Sequence, residues 1–418
     1  MPKNLSTLHM VEQLSHQRDA LEILGPWVMN KGDELMLRAV VERLSDRFVL
    51  AASTDLKVNG QEGLPELPRV RWQPNAADLR TAVRRRSWPE CLSVLKRGVA
   101  LPFTPERVLR SQRMLNGRRI AALLDCSGFA YGDQWSPRRL IARTEYYQRL
   151  RQRGVQLIML PQALGPFSDP EIRPHARHML KQFDVIFPRE TVSAEHVLDL
   201  GIDPTKVAAC PDVSHLLAGR KPPRPEQWSR RVAIVPNARM LDKTDASVAQ
   251  RYLDFLVICI ERVRAHQLEP CILLHETNDT ILLEQLLARL RDKPPVFDED
   301  GVTSKGFLGC CYANLGSRYH SLVSSLCQAT PSLGTSWAHK YEALFDEYGC
   351  IDCLISPALD DAETAHRLDT FLQPEKNQQL RTLLLQRSID QSEKVECMWQ
   401  QVEAMIAQSQ NARISKSA

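Results

Sequence analysis

The sequence predicts an α/β protein whose two domains face each other across a cleft. Three observations carry that expectation. Short apolar runs alternate with amphipathic stretches, a proline-rich charged stretch interrupts the alternation, and the alternation restarts before a strandless, helical end. A chain of 418 residues has enough material for two cores.

In the first domain, residues 1–217, the runs "RFVLAAS" (47–53), "RIAALLD" (119–125), "VQLIMLPQ" (155–162) and "DVIFPRE" (184–190) are short, bounded and partly β-branched, as buried strands are. Between them lie the helical patterns "DELMLRAVVERL" (33–44) and "PEIRPHARHMLKQF" (170–183). Such alternation predicts a mainly parallel sheet with helices on both faces. "AGRKPPRPEQWSRR" (218–231) reads as a linker, with bounds at 218–230. The second domain, 231–373, repeats the pattern with "RVAIVPNA" (231–238), "YLDFLVICIERVRAHQ" (252–267), "EPCILLHE" (269–276) and "DTILLEQLLARLRD" (279–292). Residues 374–418 form a helix and tail expected to pack across the pair. In open α/β sheets ligands gather at the carboxyl ends of the strands, so functional motifs are sought just after strand signals.

Composition narrows the function. Apolar residues make up 43% and charged residues 25%, ordinary for a globular chain. No apolar run is long enough for a membrane span, and the first residues lack a signal-peptide core, which predicts a cytoplasmic location. The eleven cysteines are scattered and read as buried, reduced thiols, and the lone Cys350-Ile-Asp-Cys353 pair reads as structural. The net charge of +4 conceals a basic stretch at 80–119, with eleven Lys/Arg against Glu90 and Glu106. It has no nucleic-acid module signature and few aromatics, which argues against DNA or RNA. It reads either as a solvated face or as a region attracted to an anionic membrane surface or a pyrophosphate-linked substrate.

Five motifs carry candidate chemistry. In "NKGDE" (30–34), Asp33 and Glu34 suit a helix first turn, and Asn30 with Asp33 can alternatively hydrogen-bond sugar hydroxyls. The spacing is not a dinucleotide fingerprint, which excludes a nicotinamide cofactor. "DCSGFAYGDQW" (125–135) offers Tyr131, Asp133 and Trp135 for stacking on a sugar or for packing on the domain. "LPQALGPF" (160–167) places Gln162 at a strand end. "FPRETVSAEHVL" (187–198) places Arg189 between strand and helix, where it can hold a phosphate or carboxylate, or pair with a neighbouring acid. In "GSRYHSLVSSLCQATPSLGTSWAHKYEALF" (316–345), Ser317 is a candidate N-cap, with Arg318 and His320 in the first turn that follows. His339 and Lys340 open the next helix. Cations at a helix N-terminus oppose the macrodipole, so two such turns predict an anion site.

Taken together, "NKGDE", "DCSGFAYGDQW", "LPQALGPF", "PRETVS", "CPDVSHLL" and the 316–345 stretch resemble the blocks of the polysaccharide pyruvyl transferase family, from about residue 20 to 350. The resemblance implies two Rossmann-like domains arranged as in GT-B glycosyltransferases. It also implies transfer of the pyruvyl group of phosphoenolpyruvate to hydroxyls of a cell-surface polysaccharide or its lipid-linked precursor, forming a ketal. Arg318 and His320 match the family's Arg-x-His donor motif, and Arg189 its upstream arginine. On this reading Arg189, Arg318 and Lys340, with His339 alongside, hold the donor. His320 is the acid, Asp33 or Asp133 orients or deprotonates the sugar, and Asn30, Gln162 and Tyr131 help bind it. The scheme needs no cofactor and no metal, and His175 with His178 is only a partial ligand pair. A nucleotide-sugar glycosyltransferase and a non-catalytic carbohydrate-binding member are the alternatives. Asp298-Glu299-Asp300 superficially resembles an acidic metal motif and reads as a solvated loop. The acceptor sugar and the oligomeric state stay open.

Overall fold

Seven parallel strands form the first sheet: β1 (Ala20–Leu24), β2 (Val49–Ala52), β3 (Arg69–Arg71), β4 (Met114–Asn116), β5 (Ile120–Asp125), β6 (Gln156–Gln162) and β7 (Val185–Pro188). Their order is β4-β3-β2-β1-β5-β6-β7. The computed structural model describes residues 20–25, 30–53, 67–72 and 104–417, with Trp88, Pro89, Leu92 and Leu95 between them. Residues 80–103 of the basic stretch otherwise lie outside the described residues, as do residues 1–19. The second sheet holds β8 (Arg231–Val235), β9 (Glu269–Leu273), β10 (Val296–Phe297), β11 (Ala313–Gly316) and β12 (Ser332–Gly334), ordered β10-β9-β8-β11-β12 and again parallel.

Burial explains why the strands read as continuous apolar runs. Every residue of β1 and β5 is buried, because helices cover both faces of the sheet. One face packs α1 (Lys31–Leu44) through Leu35, Met36 and Val40. The other packs α2 (Pro137–Gln152) and α3 (Arg173–Leu180) through Tyr147, Leu150 and Met179. α4 (Thr191–Asp199) follows β7. In the second domain α5 (Ala246–Ala265), α6 (Thr280–Arg289), α7 (Gly301–Cys310), α8 (Tyr319–Leu326), α9 (His339–Glu347) and α10 (Asp361–Leu372) surround the sheet.

The strand order decides where a ligand can sit. In the first sheet the winding direction reverses between β1 and β5, and in the second between β8 and β11. The loops leaving adjacent strands at a reversal diverge to opposite faces and open a crevice at the carboxyl edge. Both crevices line the same cavity, through Gly25 and Ser127 on one side and Asn237 and Arg318 on the other.

The two domains are tied together. The 44-residue helix α11 (Pro374–Ser417) buries Leu380 and Leu384 in the core of the second domain, then Trp399, Val402 and Ile406 in that of the first. Such a helix is roughly 66 Å long, enough to reach both. Arg43 secures it through Glu396 and Glu403, at 2.8 and 2.6 Å. At the edge of the cleft, Lys31 Nζ pairs with Asp298 at 2.8 Å and Glu34 accepts the Gly301 amide at 2.9 Å. Asp300 caps α7 through Thr303 N at 2.7 Å and meets Arg220 at 2.9 Å. All three residues of the 298–300 stretch are exposed, as expected of a solvated loop, and two of its three carboxylates also make ion pairs. No helix among the described residues is long and apolar enough to cross a membrane.

Candidate functional site

A cavity of about 470 Å³ opens between the carboxyl edges of the two sheets. On the first-domain side β1 ends at Gly25, whose φ of +108° turns the chain sharply where a Cβ would collide with Ser127. Asn30 then caps α1, its side chain accepting from Gly32 N at 2.8 Å, and Asp33 follows on the first turn. Both line the cavity. Gly32 carries a packing requirement of its own. A Cβ there would lie 2.0 Å from His320 Nδ1, so only glycine lets α1 approach the imidazole.

His320 sits on the opposite domain, in the first turn of α8 just after β11. Arg318, not Ser317, occupies the N-cap position and makes no side-chain capping bond. The Ser317 hydroxyl is taken by Tyr252 at 2.7 Å and Thr335 at 2.8 Å, so it is a core hydrogen-bond hub rather than a cap. The Nε2 atom of His320 meets Asp212 Oδ2 at 3.2 Å. The same oxygen accepts from Arg189 Nη1 at 2.8 Å, while Asp212 Oδ1 accepts from Ser214 N at 2.9 Å. Burial opposes the Asp212 charge, but His320 and Arg189 outweigh it and hold the carboxyl well below its usual range. For His320 burial wins over the pull of Asp212, and its pKa falls below the ordinary value.

The three expected donor cations differ. The Arg189 guanidinium pairs with Asp212 and lies 4.0 Å over the Tyr319 ring, while its Nε has no hydrogen-bond partner among the described residues. Burial opposes its charge, and Tyr319 and Asp212 outweigh that, so its pKa ends raised. Arg318 pairs with both Asp279 and Glu276, its Nε 2.9 Å from Asp279. Neither arginine is a bare cation. Lys340 is: buried on α9, it makes no ion pair with a carboxylate among the described residues. Its ammonium lies among aromatic rings instead, 4.7 Å from the Phe129 centroid, 4.8 Å from Trp337 and 5.3 Å from Tyr319. Burial first, and the neighbouring Arg189 charge second, lower its pKa to about 7.

Four expected contacts fall elsewhere. Tyr131 is buried in the first core, its hydroxyl 2.8 Å from Asp125 and 2.9 Å from Tyr147, so it presents no face to a sugar. Asp133 accepts from Ser168 N at 3.0 Å and Asp169 N at 3.2 Å, which ties two loops together outside the cavity. Gln162 closes β6 and is wholly buried; neither of its amide atoms has a partner among the described residues, and it does not line the cavity. His339 reaches away to Glu190 at 3.1 Å, joining α9 to the start of α4. In their place the cavity exposes Phe129, Trp135 and Trp337. Asp212 was missed as well. It lies in the block "CPDVSHLL", where nothing in the local pattern points its carboxylate at His320.

The fold and this cavity define the class: two Rossmann-like domains in the GT-B arrangement, with a cleft site built from both. HepE from Anabaena in complex with UDP superposes with a TM-score of 0.55 at 12% identity, covering 93% of this chain and all of that one. UGT2 of Phytolacca americana, complexed with UDP-2-fluoroglucose and pterostilbene, gives 0.51 at 11% identity over 93% of this chain and 99% of that one. The UDP-GlcNAc 2-epimerase of Neisseria meningitidis gives 0.50 at 10% identity over 92% and 99%. These likenesses establish the shared fold. The polysaccharide pyruvyl transferase family model matches residues 30–339, and the chain belongs to that family. No curated protein matches it significantly in sequence.

Proposed function

We propose that the cavity transfers the pyruvyl group of phosphoenolpyruvate to hydroxyls of a polysaccharide or its lipid-linked precursor. One observation carries this reading: Lys340 is buried without an ion pair among the described residues, in the cavity that Arg318 and His320 also line, and burial outweighs the pull of Glu190 and Asp33 on its charge. A desolvated ammonium is costly unless an anion meets it. Phosphoenolpyruvate brings a phosphate and a carboxylate, and family membership supports a transferase acting in polysaccharide synthesis.

On this proposal the donor's negative charge raises the pKa of His320 and Lys340, so both bind protons as it enters. His320, oriented by Asp212 through Nε2, delivers a proton to the donor methylene carbon. The adjacent carbon becomes electrophilic and takes the oxygen of a sugar hydroxyl, whose proton passes to Asp33 or to water. The oxygen of a second hydroxyl then forms a bond to the same carbon as the C–O bond to phosphate breaks, which closes the ketal; its proton leaves with the departing inorganic phosphate. Arg189 holds Asp212 ionised, and Arg318 meets the donor while keeping its own carboxylates.

The test follows donor and product together. Phosphoenolpyruvate should raise the melting temperature, and with a sugar acceptor it should release inorganic phosphate and add pyruvyl mass to the sugar. HepE is seen with UDP-glucose, so UDP-glucose is the informative competitor. Stabilisation by UDP-glucose and not by phosphoenolpyruvate would sink the proposal in favour of glycosyl transfer.

A further inference from the structure

One cation of the cavity is left over once the donor's partners are assigned. Arg139 sits in the first turn of α2, on the first-domain wall. Among the described residues no carboxylate pairs with it, whereas Arg239 on the opposite wall has Asp242 at 2.6 Å. Its guanidinium lies 4.3 Å over the indole of Trp135. The first turn of α2 contains no acidic residue that could compensate it. Burial lowers its pKa below the usual arginine value, which marks a charge partly stripped of water. Trp135 adds a second observation: its Nε1 is buried against this wall and has no hydrogen-bond partner among the described residues. The wall therefore presents a fork of donors without a carboxylate partner beside an aromatic face, with the unpartnered indole N–H buried behind it, within one short loop-and-helix segment.

Resting on the pyruvyl-transfer reading, we propose that Trp135 and Arg139 form an acceptor subsite for a sugar that carries its own anionic group, a carboxylate or a phosphate ester. The indole packs on the apolar face of the pyranose, and the guanidinium binds two oxygens of the anion side by side. A neutral sugar leaves Arg139 desolvated and unmatched. Hydrogen bonds to charged groups are worth about 1.5–3 kcal/mol, which corresponds to roughly a ten- to hundredfold preference for the anionic sugar.

The experiment titrates the full chain with glucose, glucuronic acid and glucose 1-phosphate, read by calorimetry. The expected result is that at least one anionic sugar binds about tenfold or more tightly than glucose. Which of the two does so identifies the anion as carboxylate or phosphate. In Arg139→Gln the ratio of anionic to neutral affinity should collapse toward one, and Arg139→Lys should restore part of it. Lys340→Met separates the two walls, because a preference that belongs to Arg139 survives that change. Equal binding of all three sugars to the unaltered protein overturns the proposal. So does a preference that persists in Arg139→Gln, or one that disappears in Lys340→Met. The donor reading is judged separately by the melting shift with phosphoenolpyruvate alone, so either idea can fail without the other.

Discussion

Two helix starts, α8 and α9, each place a cation after a strand of the same sheet, Arg318 at an N-cap and Lys340 in a first turn, yet they treat it in opposite ways. At α8, Arg318 is matched by Asp279 and Glu276, and its charge is present whether or not a ligand is bound. At α9, Lys340 lies among aromatic rings with no ion pair among the described residues, and burial and Arg189 outweigh Glu190 and Asp33 and lower its pKa to about 7. The first turn is an electrostatically complete part of the fold. The second lacks an ion pair among the described residues. Similar sequence signals thus produced one cation matched by carboxylates and one held among rings.

The largest effects should appear where the matched cation is removed. Arg318→Ala leaves two carboxylates unpaired in a buried setting, which should cost about 3–5 kcal/mol of stability by chemical denaturation. Lys340→Met should do the reverse, stabilising the protein at pH 7 by on the order of 1–4 kcal/mol while abolishing the phosphoenolpyruvate-induced melting shift. If both variants lose stability equally, the contrast between the two turns is wrong.

The pH dependence sharpens the same contrast. The folded pKa of Lys340 lies below its ordinary value, so its destabilising effect is fully present below about pH 7. That effect is relieved as pH rises toward 10.5, where the unfolded chain also loses the proton. Binding runs the other way. Phosphoenolpyruvate affinity should weaken up to tenfold per pH unit above about pH 7, as the neutral amine must take up a proton to meet the anion. Lys340→Arg should flatten that profile, whereas a profile unchanged by the substitution would remove Lys340 from the donor site.

A smaller effect tests how the domains share the imidazole. Gly32→Ala places a methyl where His320 Nδ1 now lies, so overpacking should cost about 1–3 kcal/mol and lower turnover more than donor affinity. Smallest of all, Tyr131→Phe should cost roughly 1 kcal/mol through the lost hydrogen bond to Asp125 and leave kcat within twofold. A large loss of kcat there would return Tyr131 to the site.

Much of the architecture was legible because it rests on local pattern. The runs at 119–125 and 155–162 became β5 and β6, and the start of "NKGDE" opened α1. Less visible were β3 and β4, whose three residues each are too short to show any period. Of the candidate side chains, Asn30, Asp33, Arg189, Arg318, His320 and Lys340 converge on the cavity. Tyr131, Asp133, Gln162 and His339 do not, although each also follows a strand signal. A residue's place after a strand is read from its neighbours in sequence; the direction of its side chain depends on which partner competes for it. Asp125 and Tyr147 claimed Tyr131, Ser168 and Asp169 claimed Asp133, and Glu190 claimed His339.

What the sequence determined alone was the alternation of strands and helices and the two cation-bearing helix starts, because periodicity and helix-end chemistry act within a few residues. Only the tertiary structure decided which cation is free. Arg318 lies 39 positions from Asp279, His320 lies 108 from Asp212, and Gly32 meets His320 across the cleft. Charge compensation and desolvation depend on distance in space, and those distances exist only once both domains have folded and closed on each other.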